Sequence, residues 1–192
     1  MSATEPRPQR ADARRNRERI MDAAREVFAE YGQDAQMDDV AKRAGVGVGT
    51  VYRHFPTKDA LAGEILAAKL RNHAEAARRW SAEAPDAWTA FEGLLRESFA
   101  AMAADAQQQR MMFVASDAAM AHAEPARLEL VDVMGALIDR ARAEGRLRDD
   151  FTIDEMPALM CAVGGVMSAP PDRVPGWDRV VDVLIDGLRA RP

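Results

Sequence analysis

Residues 37–61 are punctuated so closely that few architectures can accommodate them. Asp38 and Asp39 supply negative charge to the first turn of a short helix whose inward residues are Val40, Ala41 and Ala44. Gly45-Val46-Gly47 breaks that helix, a second short helix is predicted from Gly49 to Phe55, and Pro56 ends it. Thr57 is a good N-cap for a long helix that carries Leu61, Ile65, Leu66 and Leu70 towards Trp80. Ahead of this stretch, Ile20, Ala24, Val27, Phe28 and Tyr31 recur at helical spacing, and Gly32 stands where a stop is expected.

The remainder reads as helix too. Trp88, Phe91, Leu95, Phe99 and Met102 make residues 86–104 amphipathic. Gln107-Gln108-Gln109 marks a junction before Met111-Met112-Phe113-Val114, with a shorter helical piece running to His122. Pro125 is placed to start a further helix, with Leu128, Val131, Met134, Leu137 and Ile138 inward and Gly145 at its end. Helices over 153–167 and 177–189 complete the pattern, separated by Ala169-Pro170-Pro171 and Pro175-Gly176. Composition agrees: 38 alanines stand against 24 Val, Ile and Thr together, which favours an all-α fold. No stretch approaches the roughly 20 apolar residues that span a bilayer. With no secretory h-region at the N-terminus and a single cysteine, Cys161, a soluble protein of a reducing cytoplasm is expected.

The net charge of −5 argues, taken whole, against a general polyanion binder. Its distribution reverses that reading. Residues 1–71 carry 13 Lys+Arg against 11 Asp+Glu, whereas residues 72–192 carry 13 against 20. Residues 1–19 alone hold Arg7, Arg10, Arg14, Arg15, Arg17 and Arg19, so a nucleic-acid or membrane-surface contact is expected at the basic end. Pro6 and Pro8 and the lack of apolar periodicity make residues 1–11 a flexible basic arm, with order beginning near Asp12 or Arg14. The expected domains are 12–71, for DNA binding, and 72–192.

Short helix, glycine turn, short helix is the geometry of the helix-turn-helix, whose second helix enters the major groove. The run Gly49-Thr50-Val51-Tyr52-x-His54-Phe55-x-Thr57-Lys58-x-Ala60-Leu61 closely resembles the DNA-binding signature of the TetR/AcrR family of bacterial transcription regulators. The motif match covers roughly residues 14–66. Val51 and Phe55, four apart, anchor the recognition helix in the small core and leave Gly49, Thr50 and Arg53 towards DNA. Gly49 lets the backbone approach closely, and Thr50 offers a methyl to thymine or a hydroxyl to phosphate. The resemblance implies phosphate contacts from Tyr52, His54 and Lys58. Arg53 is the best direct reader, since a guanidinium meets guanine O6 and N7 together. Two positions depart from the family pattern: Gly47 stands where Ser or Thr often caps the helix, and Val48 where Lys or a polar residue is common. Specific contacts from those two positions are not expected, and the arginine arm can compensate by tracking phosphate or entering the minor groove.

Eight of the methionines lie beyond residue 71, and flexible thioethers suit an adaptable apolar cavity. The expected pocket residues are Trp88, Phe91, Phe99, Met102, Phe113, Met134 and Met160; the same pattern also suits plain core. The last two helices carry more apolar surface than one core face requires, and the resemblance implies a two-fold four-helix interface there. Met156, Leu159, Val163, Val180, Leu184 and Leu188 are the expected interface residues, with Gly164-Gly165 allowing close helix approach. By the same resemblance, filling the pocket changes the separation of the two DNA-binding heads.

Catalytic patterns fail on inspection. Gly45-x-Gly47-x-Gly49 lacks nucleotide-loop spacing and follows a helix, and His73-Ala74-Glu75 and His122-Ala123-Glu124 have no P-C-x-x-C to complete a zinc site. The chain is therefore expected to be a non-enzymatic, sequence-specific DNA-binding regulator without metal or cofactor, a homodimeric repressor released from a palindromic operator by a small apolar effector. It is expected to have no membrane partner. The competing expectation is a helical small-molecule-binding protein or enzyme whose C-terminal domain carries the activity.

Overall fold

A computed structural model of the chain describes residues 7–104, 116–167 and 176–190, with side chains from residue 12 onward. Its helices are α1 (Arg7–Tyr31), α2 (Met37–Ala44), α3 (Val48–His54), α4 (Lys58–Glu83), α5 (Ala87–Ala104), α6 (Asp117–Ala143), α7 (Met156–Met167) and α8 (Trp177–Leu188). No strand occurs among the described residues, where Leu147 and Arg189 form one isolated antiparallel bridge. The all-α expectation holds.

Two expectations are corrected. Helix α1 begins at Arg7, inside the stretch 1–11 expected to be a flexible arm. Pro8 is tolerated there because first-turn N–H groups have no intrahelical acceptor to lose. The second concerns Pro125, expected to start a helix but lying inside continuous α6. A proline removes one hydrogen bond of the ladder, yet the helix resumes because Ala126, Met134, Leu137, Ile138 and Ala141 beyond it are buried and hold it in place. Residues 1–6 and the junction at 107–114 lie outside the described residues.

The chain divides into two compact units, and both α4 and α6 contribute to each. The first comprises residues 7–66 and 116–123, the second 67–104 and 124–190. This division falls within α4, a few residues before the composition changes, and returns the first turns of α6 to the N-terminal unit.

The N-terminal unit packs Ile20, Ala24, Val27 and Phe28 of α1 against Val40, Ala41 and Ala44 of α2, with Val51, Phe55, Leu61 and Ile65 also buried. Gly45 ends α2 at φ +64°, a left-handed conformation that glycine enters without strain, and its N–H bonds the Lys42 carbonyl. Thr57 does cap α4: its Oγ1 accepts from the Ala60 N–H at 3.0 Å. At Gly63 the α4 backbone meets α6 so closely that a Cβ would lie 2.6 Å from the Cβ of His122 and 2.8 Å from the Ala119 carbonyl oxygen. Only glycine fits there.

The C-terminal unit has a larger core. Trp88, Phe91, Leu94, Leu95 and Phe99 of α5 pack with Met134, Leu137 and Ile138 of α6, Val163 of α7, and Val181 and Ile185 of α8. Polar groups close its ends. The Glu144 carboxylate accepts from the Ala87 N–H at 3.0 Å and so caps α5 from a distant part of the chain. Arg148 N–H donates to the Leu188 carbonyl at 3.0 Å and Ala190 N–H to the Arg146 carbonyl at 2.9 Å, pinning the segment after α8 to the turn after α6.

Candidate nucleic-acid interface

Helix α3 is held by its two apolar anchors and presents everything else. Val51 is fully buried and Phe55 nearly so, while Gly49, Tyr52 and Arg53 are exposed and Thr50 and His54 half-buried. At 100° per residue the anchors lie on one side and Gly49, Thr50 and Arg53 on the other, the side that a groove would meet. Arg53 has no hydrogen bond or ion pair among the described residues, so its donors remain available. Gly47 is the N-cap without a side-chain cap bond, and the Thr50 and Val51 N–H groups are satisfied by its carbonyl.

His54 is more constrained than a simple phosphate contact requires. Its Nε2 is buried without a hydrogen-bond partner among the described residues. Burial holds the imidazole below its usual pKa, and the positive charges of Arg53 and Arg17 push the same way. Of the two ring nitrogens, Nδ1 is the one not enclosed in this way.

Lys58 is turned inward. Its Nζ donates to the Gln33 carbonyl at 2.5 Å and stands 5.8 Å from the Phe28 ring centroid, so in this conformation it ties α4 to the turn after α1. Other cations expected near DNA are similarly engaged. Arg19 donates to the Ala44 carbonyl at 2.6 Å, finishing the C-terminus of α2. Arg17 lies over the Phe55 ring at 5.1 Å and pairs with Glu64 at 3.1 Å. Arg14 and Arg15 make only local pairs, with Glu18 and Asp12. The structural use of Arg17 and Arg19 had no signal in composition, because charge counts do not reveal which carbonyl or ring a guanidinium faces.

The expected pocket residues lie mostly in closed packing. Trp88, Phe91, Phe99 and Met134 are buried in the core of the C-terminal unit, and Met102 and Met160 pack half-buried against it. The Trp88 indole N–H donates to Glu92 at 2.9 Å and its face carries Arg189 at 4.7 Å. Phe113 lies outside the described residues. Of the expected interface residues, Val163 and Leu188 are buried within this chain and do not face outward, a correction that follows from their place in the core. Met156, Leu159, Val180 and Leu184 are half-buried. The outward face of α7 is instead made by Pro157, Ala158, Cys161, Ala162 and Gly165, whereas α8 exposes Val183 among Asp178, Arg179, Asp186 and Gly187. Small residues at spacings of three and four were the signal for that face, and a search for large apolar side chains passes over it. Among the described residues no cluster of His, Cys, Asp or Glu could hold a metal ion, and no helix is long and apolar enough to cross a membrane.

Comparison with known proteins agrees with this geometry. Residues 20–65 match the family described as bacterial regulatory proteins, tetR family, and residues 83–190 match the C-terminal domain of SbtR-like transcriptional regulators. The TetR transcription regulatory protein from Mycobacterium vanbaalenii is 33% identical, with a TM-score of 0.65 over 95% of this chain and 100% of that one. A TetR transcriptional regulator from Streptomyces coelicolor is 29% identical, with a TM-score of 0.63 over 92% and 99% of the two chains. An HTH-type transcriptional regulator of Staphylococcus aureus is 41% identical over 58 residues, 30% of this chain and 31% of the relative, so the chain spans about a third of the length of the curated relatives it matches. With an anchored recognition helix at one end and a matching regulatory domain over most of the rest, the chain belongs to the TetR family of helix-turn-helix transcriptional regulators.

Proposed function

We propose that this regulator is a repressor that binds a palindromic operator as a homodimer in the cytoplasm and is released by a small apolar effector. The observation that carries the reading is the disposition of α3: Val51 and Phe55 buried, with Gly49, Thr50, Tyr52 and Arg53 outward. In this reading Arg53 reads a base edge, Thr50 and Gly49 line the groove, Tyr52 and the Nδ1 of His54 reach phosphate, and Lys58 acts there only if it leaves Gln33. The exposed small-residue face of α7 and Val183 of α8, 58% exposed, supply apolar surface for a second copy. Two copies related by a two-fold axis read two half-sites, hence a palindrome.

For the effector, the half-buried thioethers of Met102, Met156, Met160 and Met167 border the closed core, and unbranched Met side chains re-pack readily around an inserted ligand. A regulator of the same fold, FadR from Bacillus subtilis, has been solved in complex with stearoyl-CoA, which makes long acyl compounds a sensible first panel. An effector that binds only the state with wrongly spaced heads lowers operator affinity by linkage.

Binding-site selection from a random duplex library with the purified protein tests the reading. The expected result is a two-fold symmetric consensus whose affinity falls steeply with salt. Recovery of no preferred sequence overturns it.

A further inference from the structure

The Glu64 carboxylate, on α4, is shared between two other helices. Its Oε1 pairs with the Arg17 guanidinium of α1 at 3.1 Å, and its Oε2 accepts from Nε2 of His122 on α6 at 3.3 Å. The Glu64 side chain is only 18% exposed, whereas both partners in the local pairs of Arg14 and Arg15 are 62% or more exposed, so water and salt screen the Arg17 pair less. Arg17 in turn covers the face of the Phe55 ring, its Cζ 5.1 Å from the centroid. Phe55 is the residue on which α3 ends: it is 3% exposed, and its N–H bonds the Val51 carbonyl at 2.8 Å. Contacts therefore run without a gap from His122 through Glu64 and Arg17 to Phe55, all within the N-terminal unit. The backbone that carries His122 is itself held, because Ser116 Oγ donates to Asp59 at 2.6 Å and Gly63 admits Ala119 and His122 against α4.

Helix α3 has seven residues, and isolated helices shorter than about 12 residues are marginal in water. Its orientation is thus set by whatever grips its anchors, Val51 and Phe55. We propose that Glu64 is a positioning residue for DNA recognition: it fixes Arg17 against Phe55 and, through His122, ties the first turns of α6 to the end of the recognition helix. Without the carboxylate charge Arg17 leaves the ring and α3 samples other orientations. The apparent dissociation constant for DNA then rises by the inverse of the fraction that stays correctly placed. No base or phosphate contact is lost in this way, so affinity falls alike for all sequences and its salt dependence does not change. The assignment rests on DNA recognition by α3 and is independent of the sign of regulation.

Gel shifts test it on the operator recovered by selection, on single-base variants of that operator and over a salt series. The expected result is that Glu64→Gln and Arg17→Gln each weaken binding about fivefold per half-site, the top of the range for a partly exposed pair, on every site alike and with the native salt slope. The double variant binds no more weakly than either single one, and His122→Ala costs about twofold in the native protein and nothing in Glu64→Gln. Glu30→Gln is the control: it breaks a pair with Arg43 at 2.8 Å that joins α1 to α2, and it leaves binding unchanged. Tighter binding by Glu64→Gln, with a salt slope about one unit smaller for Arg17→Gln, makes Arg17 a phosphate ligand and overturns the assignment. Additive losses overturn it too, as does a loss in Glu30→Gln equal to that in Glu64→Gln. Where Glu64→Gln is poorly folded, His122→Ala decides, since that side chain is 43% exposed and its removal opens no core; native affinity in this variant overturns the assignment. Recovery of no preferred sequence overturns DNA recognition by α3 together with the role of Glu64, whereas a preferred operator bound equally by native protein and Glu64→Gln overturns only the latter.

Discussion

In residues 7–66 and 116–123 cationic side chains supplement a small core, whereas 67–104 and 124–190 rest mainly on a larger core rich in aromatic rings. The head is small, and Arg19 on the Ala44 carbonyl, Lys58 on the Gln33 carbonyl and Arg17 between Phe55 and Glu64 supplement its packing. The bundle relies on Phe91, Phe99, Leu94 and Leu137, all almost fully buried, and its ion pairs such as Arg96–Asp182 lie on the surface. The lesson is that positive charge in the basic third does not translate directly into DNA contact. Part of it is spent on carbonyls, and the outward reading surface of α3 is left with one arginine.

The contrast can be broken or sharpened by experiment. Phe91→Ala should produce the largest change, about 3–5 kcal/mol of unfolding free energy in urea titration, because the cavity opens in the centre of the bundle core. A loss under 1 kcal/mol there would deny that packing carries this unit. Arg53→Ala should leave the urea midpoint unchanged and weaken operator binding by about 1–3 kcal/mol, with preference relaxed at one base position of a site library. Lys58→Ala separates a structural cation from a DNA cation. Loss of its bond to a backbone carbonyl should lower stability by about 1 kcal/mol while the salt slope of binding stays the same. A slope reduced by about one unit with unchanged melting would move Lys58 back to the phosphates.

Acidification should act on both units. Burial lowers the pKa of His73 in the bundle, aided by Lys69 and opposed by Glu97, and burial lowers that of His54 in the head. The unfolded chain takes up these protons first, at the ordinary histidine value of 6.5. This contribution to stability is therefore complete above that value and is lost as pH falls from it towards the folded-state values. Urea midpoints at about pH 7.5 and 5.5 should show the drop, and His73→Gln should remove more of it than His54→Gln, because His73 is the more deeply set. The smallest effect is expected from Gly47→Ser, which supplies the missing side-chain cap of α3 and should raise thermal stability by a few tenths of a kcal/mol, about the difference between Gly and Ser at such positions.

The short-range features were legible because their causes are local. Thr57 caps, Gly45 turns left-handed, and Val51 and Phe55 share a face, each through physics that reaches no further than one helical turn. Pro125 was not legible. Its local preference for a helix start loses to burial of residues on both sides of it, from Ala119 and Ala123 to Ala126 and Met134. The backbone bonds of Arg19 and Lys58 were not legible either, because the spacing of 25 residues between Arg19 and Ala44, or between Lys58 and Gln33, leaves no pattern to find. Val163 and Leu188 were assigned outward for a related reason. Two apolar faces on one helix can be counted from sequence, but which of them turns inward depends on neighbours such as Phe91 and Ile185.

The bridge between Leu147 and Arg189 also orders events in time. A growing chain presents residues 7–66 early, and they need only 116–123 from further along to complete their own unit. The bundle must wait for residue 190, because Arg146 and Arg148 find their backbone partners there. Until that segment has been synthesised, the core that holds Leu147 lacks Val181, Ile185 and Leu188, so the helix-turn-helix head is competent to form while the second core is still incomplete. A newly made molecule thus acquires its reading helix before its second core is closed, and a polypeptide interrupted ahead of residue 188 should be found in aggregates, not on DNA.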